Sequence, residues 1–377
     1  MRRTIVALLV TLALIIILAP PAASQARRGG QVTVGLHQEP DRLWAPFSGL
    51  TVAHETALLL NDSLLRINEK LEYAPALAME VPTTRNGGIS PDGLTVTFKL
   101  RRGIKWHDGA PFTGRDVKFT YDMIFDKDVN SPRRSTLLQA MEGPDSVKIK
   151  DPYIVEFKAK EPYAPFLAQI PIYGIIPKHL LAEKKGKDLN TADFNTKAPV
   201  GTGPFKFKEW VKDNFMLLEA NPGYFKGAPK LNQFVYKIVK DSTVVTAQLK
   251  TGEIDFGPVE PALLAEMEKV PTLNIKKYDN LGFTFYSYQL DKAKTEIFQE
   301  KAVRQALFYG LDRKAMLESI VFGQGAVADS SGSGFQLKPT RKISKSLVLV
   351  MRFKNAFHSS VFGVACTPIS FHCSCIT

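Results

Sequence analysis

No cysteine occurs before residue 366. Cys366, Cys373 and Cys375 all sit in the last dozen residues, so the body needs neither a disulfide nor thiol chemistry. That suits an exported bacterial protein that folds on a large apolar core. Acid is missing from the same end: residues 331–377 hold no Asp or Glu but carry Lys338, Arg341, Lys342, Lys345, Arg352 and Lys354. Without these six bases and the N-terminal Arg2 and Arg3, the formal charge falls from +12 to +4. A body of that charge gives no case for a nucleic-acid partner. Two hydrolase signatures are also absent, Gly-x-Ser-x-Gly and His-Glu-x-x-His. The body's His37, His54, His107 and His179 are scattered rather than clustered. No internal repeat is visible, and before residue 340 nothing beyond the N-terminal run is apolar enough to span a membrane.

What is present is a chain of 377 residues, 45% hydrophobic and 23% charged, long enough for more than one domain around a large core. Its first 26 residues read as a secretory signal. Arg2 and Arg3 form the positive region and Thr4–Leu18 the apolar one. Pro20 and Pro21 follow, then small residues from Ala22 to Ala26, with cleavage expected after Ser24 or Ala26. No cysteine follows the apolar run, so a free periplasmic protein without a lipid anchor is expected.

The mature chain mixes strand and helix patterns, which predicts an α/β or α+β protein of more than one lobe. Strands are expected at Gln31–Leu36, Leu94–Leu100, Val147–Ile149, Ile154–Phe157, Phe205–Trp210, Phe215–Ala220, Phe234–Ile238, Ile254–Phe256, Leu273–Tyr278 and Phe283–Tyr288. A helical pattern covers Thr51–Ile67. Thr113 and Asp116 resemble a capping box opening a helix with Val117, Tyr121, Ile124 and Phe125 on one face. Asp241 or Ser242 caps a helix stopped by Gly252. Further helices are expected at Pro261–Lys269, at Lys301–Leu311 with Val303, Ala306, Leu307 and Leu311 facing inward, and at Arg313–Val321 capped by Asp312.

Four segments go beyond periodicity. The stretch from Ser90 to Asp122, SPDGLTVTFKLRRGIKWHDGAPFTGRDVKFTYD, is the longest. Gly201-Thr-Gly-Pro-Phe-Lys206 is followed by Asn221-Pro-Gly-Tyr-Phe225. Leu249-Lys-Thr-Gly-Glu-Ile-Asp-Phe256 comes third, and Lys301-Ala-Val-Arg-Gln-Ala-Leu307 with Gly310-Leu-Asp-Arg313 fourth. In this order, over roughly residues 30–329, they closely resemble the family 5 extracytoplasmic solute-binding proteins, which include dipeptide- and oligopeptide-binding proteins. Within them Gly93, Gly103 and Gly109 read as turn residues, and Trp106, His107 and Asp108 as structural. Gly201-Thr-Gly203 lacks the Gly-Lys-Ser/Thr ending of a phosphate loop and reads as a tight strand entry.

The resemblance implies a two-lobed fold closing by a hinge on a solute. Its first lobe would come from 27–50 and 186–258, with a subdomain inserted at 51–185. The second lobe would begin near 259 and be incomplete, covering 259–329. The implied function is the substrate-binding component of an ABC transporter. It would take di- or oligopeptides and deliver them to membrane permease subunits, as a monomer without cofactor or metal. Another solute remains open, such as an oligosaccharide, an opine or a nickel complex, and so do an exported hydrolase and a non-functional fragment. By family position His37-Gln-Glu-Pro40 faces the cleft, with Glu39 expected to meet a ligand ammonium or a polar group. Pro40, Thr202, Gly203 and Tyr286 complete the expected ligand set, and Tyr288 is a further strand aromatic.

The resemblance stops after Asp329. Ser330-Ser-Gly-Ser-Gly334 leads into the basic tail 330–377, whose composition reads as an out-of-frame or spliced ending and is expected to be poorly ordered. His372, Cys373, Cys375 and Cys366 do not have a recognised zinc spacing. A curtailed second lobe would leave Phe283, Phe285, Val303, Leu307, Met316 and Ile320 partly uncovered, so peptide affinity is expected to be weak or absent.

Overall fold

The computed structural model describes residues 29–68, 72–184, 186–279, 288–325, 327 and 346–352. The expected signal segment, the strand expected at 283–288 except for Tyr288, and most of the tail lie outside these residues.

The main element is a seven-stranded mixed sheet. Its strands are β1 (Gln31–Leu36), β7 (Phe205–Val211), β8 (Phe215–Ala220), β9 (Gln233–Ile238), β10 (Phe256–Pro258), β11 (Leu273–Asp279) and β12 (Ser346–Arg352), in the order β11-β12-β10-β1-β9-β8-β7. β1 is parallel to β9 and β10, whereas β7–β8, β8–β9, β10–β12 and β11–β12 are antiparallel. Alternation along β1 sorts its two faces. Val32, Val34 and Leu36 pack with Val52, Leu59 and Leu60 of helix α1 (Thr51–Leu60), and with Met216, Leu218 and Tyr236. On the opposite face a β-carbon at Gly35 would lie 3.0 Å from Ile254 and 3.7 Å from Val245. On the neighbouring strand, one at Gly257 would lie 3.2 Å from Val245. The two glycines let α4 (Ser242–Thr251) seat Val245 and Leu249 directly on the strands.

Between α1 and β7 the chain builds a second body. β2 (Leu65–Ile67) pairs with β3 (Tyr73–Pro75), and β4 (Thr95–Lys99), β5 (Val147–Asp151) and β6 (Ile154–Lys158) form a sheet in the order β4-β6-β5. Helices α2 (Gly114–Phe125) and α3 (Arg134–Ala140) belong to the same body. Its core is aromatic. Phe157 meets Phe98 edge-on at 5.5 Å and Tyr121 at 4.8 Å, and the Tyr121 hydroxyl donates to the Ile170 carbonyl at 2.7 Å. The Thr113–Asp116 capping box of α2 is present, with the Thr113 amide donating to Asp116 at 2.9 Å.

Three expectations change. The helix expected over 51–67 stops at Leu60, because the Arg66 guanidinium takes the Leu58 and Asn61 carbonyls at 3.0 and 3.1 Å, and Leu65–Ile67 becomes a strand. The strand expected at 254–256 starts two residues later, at Phe256, with Ile254 buried over Gly35 of β1 and outside the strand ladder. Within the tail, Ser346–Arg352 forms β12, paired on both sides with β10 and β11.

Helices α5 (Lys301–Tyr309) and α6 (Arg313–Val321) lie where expected, and Asp312 caps α6 by accepting from the Ala315 amide at 2.9 Å. The buried face expected of α5 is not formed: neither helix has a buried residue.

Candidate functional site

In open α/β sheets, ligand sites gather at the carboxyl ends of parallel strands. Here that edge carries the loop after β1, the turn from β7 to β8 and the start of α4. Glu39 is half-buried on this loop, and Pro40 is buried beside it. The Glu39 Oε1 accepts from the Trp210 indole at 3.0 Å and from the Asp213 amide at 2.9 Å. Asp213 turns the β7–β8 hairpin with a φ of 57°, and its carboxylate pairs with Lys240 at the end of β9. That pairing holds Asp213 below the usual carboxylate range and Lys240 above the usual amine range. Two carboxylates, those of Glu39 and Asp213, thus stitch the ends of β1, β7 and β9, which fixes Glu39 in place and leaves its loop at the sheet edge.

Thr202 and Gly203 stand elsewhere. They precede β7, whereas Trp210, the residue that touches Glu39, lies near its far end. Seven extended residues span about 23 Å, so the two halves of the expected ligand set do not converge. Thr202 is buried, and its hydroxyl oxygen accepts from the Asp62 amide at 3.1 Å. A β-carbon at Gly201 would sit 1.8 Å from the Leu60 carbonyl oxygen, and one at Gly203 2.4 Å from that of Leu59. The Gly-Thr-Gly turn therefore packs backbone to backbone under the end of α1.

Asp62, which the sequence reading did not single out, and His107, read there as structural, hold this turn. The Asp62 carboxylate is buried between Arg66 at 2.8 Å and the Tyr224 hydroxyl at 3.1 Å. Burial pushes its pKa up, against the pull of Arg66 and Lys226. His107 comes from the inserted body. Its Nδ1 accepts from the Gly201 amide at 3.1 Å, and its Nε2 lies 3.0 Å from the Gly203 carbonyl, to which it donates. Burial lowers its pKa to about 4. With both ring nitrogens committed to backbone, His107 joins the inserted body to the sheet and has no free nitrogen for proton transfer. Nothing in residue type or spacing marked this pairing, because its partners are 94 and 96 positions away.

Tyr286 lies outside the described residues. Tyr288 donates its hydroxyl to the Arg304 carbonyl at 3.2 Å and packs on Phe298, so it belongs to the α5 region. Asp108 and His179 form a partly exposed pair at 2.7 Å. Among the described residues, no group of three or more His, Cys, Asp or Glu side chains could hold a metal, and no helix is long and apolar enough to cross a membrane.

Known proteins resemble this chain in sequence and fold. The chain is 34% identical to the oligopeptide-binding protein AppA of Bacillus subtilis over 311 residues, which cover 82% of this chain and 55% of the relative. The solved structure of that AppA with a nonapeptide superposes with a TM-score of 0.73 at 32% identity, covering 85% of this chain and 62% of that one. NikZ from Campylobacter jejuni with Ni(L-His) superposes with a TM-score of 0.69 at 26% identity, covering 84% and 60%. The chain thus spans about half the length of the curated relative it matches. The mixed fold is that of the periplasmic-binding-protein-like structures. The model of the bacterial extracellular solute-binding proteins, family 5 Middle, matches residues 72–345, and the chain belongs to that family.

Proposed function

We propose that this chain supplies the first lobe, and one wall of the solute cleft, of a peptide-binding component of an ABC importer. The observation that carries this reading is Glu39. Its carboxylate is fixed by Trp210 and Asp213 at the carboxyl-end edge of a sheet whose relative AppA was solved with a nonapeptide. A fixed carboxylate there suits a peptide ammonium. Pro40 shapes the same wall, and Tyr286 would reach it from the second lobe. Thr202 and Gly203 serve by holding the turn that seats the inserted body, and so set the cleft's floor indirectly. The protein acts after export: residues 1–26 direct it to the periplasm and are removed there, and it passes its solute to permease subunits.

The test is a ligand-observed NMR titration of di- to pentapeptides at millimolar concentration, with the peptide recovered afterwards by chromatography. Saturable binding of intact peptide is the expected result. Peptide cleavage, or no saturation with any peptide, overturns the reading. A second reading, binding of a nickel–amino-acid complex, draws on the likeness to NikZ and predicts a response to Ni(L-His) in place of peptides. N-terminal sequencing of the expressed product is expected to begin at residue 25 or 27, and a retained Met1 on membrane-bound protein would count against export.

A further inference from the structure

The loop over 37–50, between β1 and α1, carries Glu39 on its first half, and a different part of the molecule holds its second half. Arg133, just ahead of α3 in the inserted body, donates through Nη2 to the Ser48 carbonyl at 3.2 Å. The same Nη2 meets His54 Nε2 on α1, which accepts from it, because a guanidinium has only donors. Burial, and then this cation, hold His54 well below its usual range, at about 4, so the ring stays neutral and the contact persists near neutral pH. Two residues earlier, the Ser131 hydroxyl donates to the Pro46 carbonyl at 2.6 Å. Among the described residues no carboxylate pairs with Arg133. Its hold is on the loop backbone, the imidazole and the Tyr173 ring, 5.3 Å from the guanidinium.

From Ser48 the contacts run back to the sheet edge. Ser48 is buried, and its hydroxyl donates to Asp41 Oδ1 at 2.6 Å while accepting from the Leu50 amide at 3.0 Å. Asp41 follows Pro40 and stands two residues from Glu39. One short path, Arg133–Ser48–Asp41–Pro40–Glu39, therefore joins the inserted body to the carboxylate that Trp210 and Asp213 hold. Hydrogen-bonded chains of this kind carry positional restraint between separated sites. The next residue in sequence does not take part: Arg134 turns back into its own body and donates to the Phe125 carbonyl at 2.9 Å. We propose that Arg133 is a positioning residue for the solute site, through which the inserted body sets where Glu39 stands, acting by way of Ser48 and Asp41. The proposal rests on the reading of Glu39 as a cleft residue, but the restraint on Glu39 itself is measurable without any solute. Loss of Arg133 leaves the loop its other anchor, the stacking of Trp44 on Phe194 at 4.6 Å, so the loop stays folded while Glu39 loosens.

The test follows the Trp210 indole N–H, which donates to Glu39, by nitrogen-edited NMR on the full chain without peptide, with the resonance assigned through Trp210→Phe. Arg133→Gln is expected to speed solvent exchange of that proton by about fivefold, whereas the matched control Arg134→Gln leaves it unchanged. Asp41→Ala, at a side chain 38% exposed and so tolerated by the fold, is expected to reproduce the effect. Asp41→Asn, which keeps an oxygen for the Ser48 hydroxyl, is expected to restore most of the protection. Because both act on one path, Arg133→Gln with Asp41→Ala should do no more than the larger single change. An indole proton unmoved by Arg133→Gln and Asp41→Ala, or moved as far by Arg134→Gln, overturns the proposal. In the peptide titration Arg133→Gln is expected to weaken binding by about fivefold. Unchanged binding beside a loosened indole also overturns it. If no peptide binds the parent while the indole responds as expected, the restraint on Glu39 stands and only the solute reading fails.

Discussion

The imidazole of His107 spans both ends of one tight turn, accepting from Gly201 through Nδ1 and donating to Gly203 through Nε2. Only the neutral ring tautomer with a proton on Nε2 can do both. The folded-state pKa of about 4 lies below the ordinary value of 6.5. The unfolded chain therefore binds the extra proton between pH 6.5 and 4, and stability falls as pH drops through that window. The shift corresponds to at most about 3 kcal/mol, fully present above pH 6.5. In chemical denaturation, His107→Ala is expected to lose about 2–3 kcal/mol at pH 7.5 and much less at pH 4. An equal loss at both values would show that the ring's protonation is not linked to folding.

Glu55, one residue beyond the half-buried His54, has the opposite dependence. Burial raises its carboxyl to about 7 from 4.5, and no cation is paired with it among the described residues. A carboxyl with a raised folded pKa binds its proton more tightly when folded. Its contribution is therefore most favourable below pH 4.5 and is lost as pH rises through 7. Glu55→Gln is expected to stabilise the protein by about 2–3 kcal/mol at pH 8 and to change little at pH 4.5. Neighbouring His54, lowered to about 4 chiefly by burial, masks part of this in the parent, so the difference between parent and variant is the quantity to read.

Short-range chemistry was legible in the sequence and long-range pairing was not. The Thr113–Asp116 box, the Asp241 cap, the stop at Gly252 and the 147–158 hairpin each depend on residues within a few positions, and each lies where expected. The end of α1 was not legible, because the apolar spacing of Leu64, Leu65 and Ile67 continues a helical pattern while Arg66 caps the helix at Leu60. Nor was the separation of Glu39 from Thr202. Both were expected in one ligand set from the family resemblance, and only the course of β7 shows that they stand at opposite ends of one strand.

The glycine turn itself makes a steric prediction. A methyl group at Gly201 has no room beside the Leu60 carbonyl oxygen at 1.8 Å, and that obstruction is backbone, so turning the Asn61 side chain aside from its 2.6 Å approach would not relieve it. Gly201→Ala is expected to cost at least about 3 kcal/mol and to reduce soluble yield. Thr202→Val keeps the volume but leaves the Asp62 amide without its hydroxyl acceptor, for a smaller loss of about 1–3 kcal/mol. If alanine at 201 proved no worse than valine at 202 in urea unfolding, close backbone packing would not be what fixes this turn.

Glu39 separates charge from scaffolding. Glu39→Gln keeps an oxygen for the Trp210 indole and the Asp213 amide but removes the negative charge, whereas Glu39→Ala removes both. On the proposed role, Gln is expected to leave the unfolding midpoint within a few degrees of the parent and to weaken peptides with a free amino terminus by about tenfold, the scale of one charge-assisted hydrogen bond. Acetylation of the peptide terminus removes the same ammonium, so the Gln variant and the acetylated peptide should not add. In a double-mutant-style cycle the coupling between Glu39 and the free amine is then about 1–2 kcal/mol. A coupling near zero with stability intact would place Glu39 as a brace for the β7–β8 turn and put the ammonium partner on another residue.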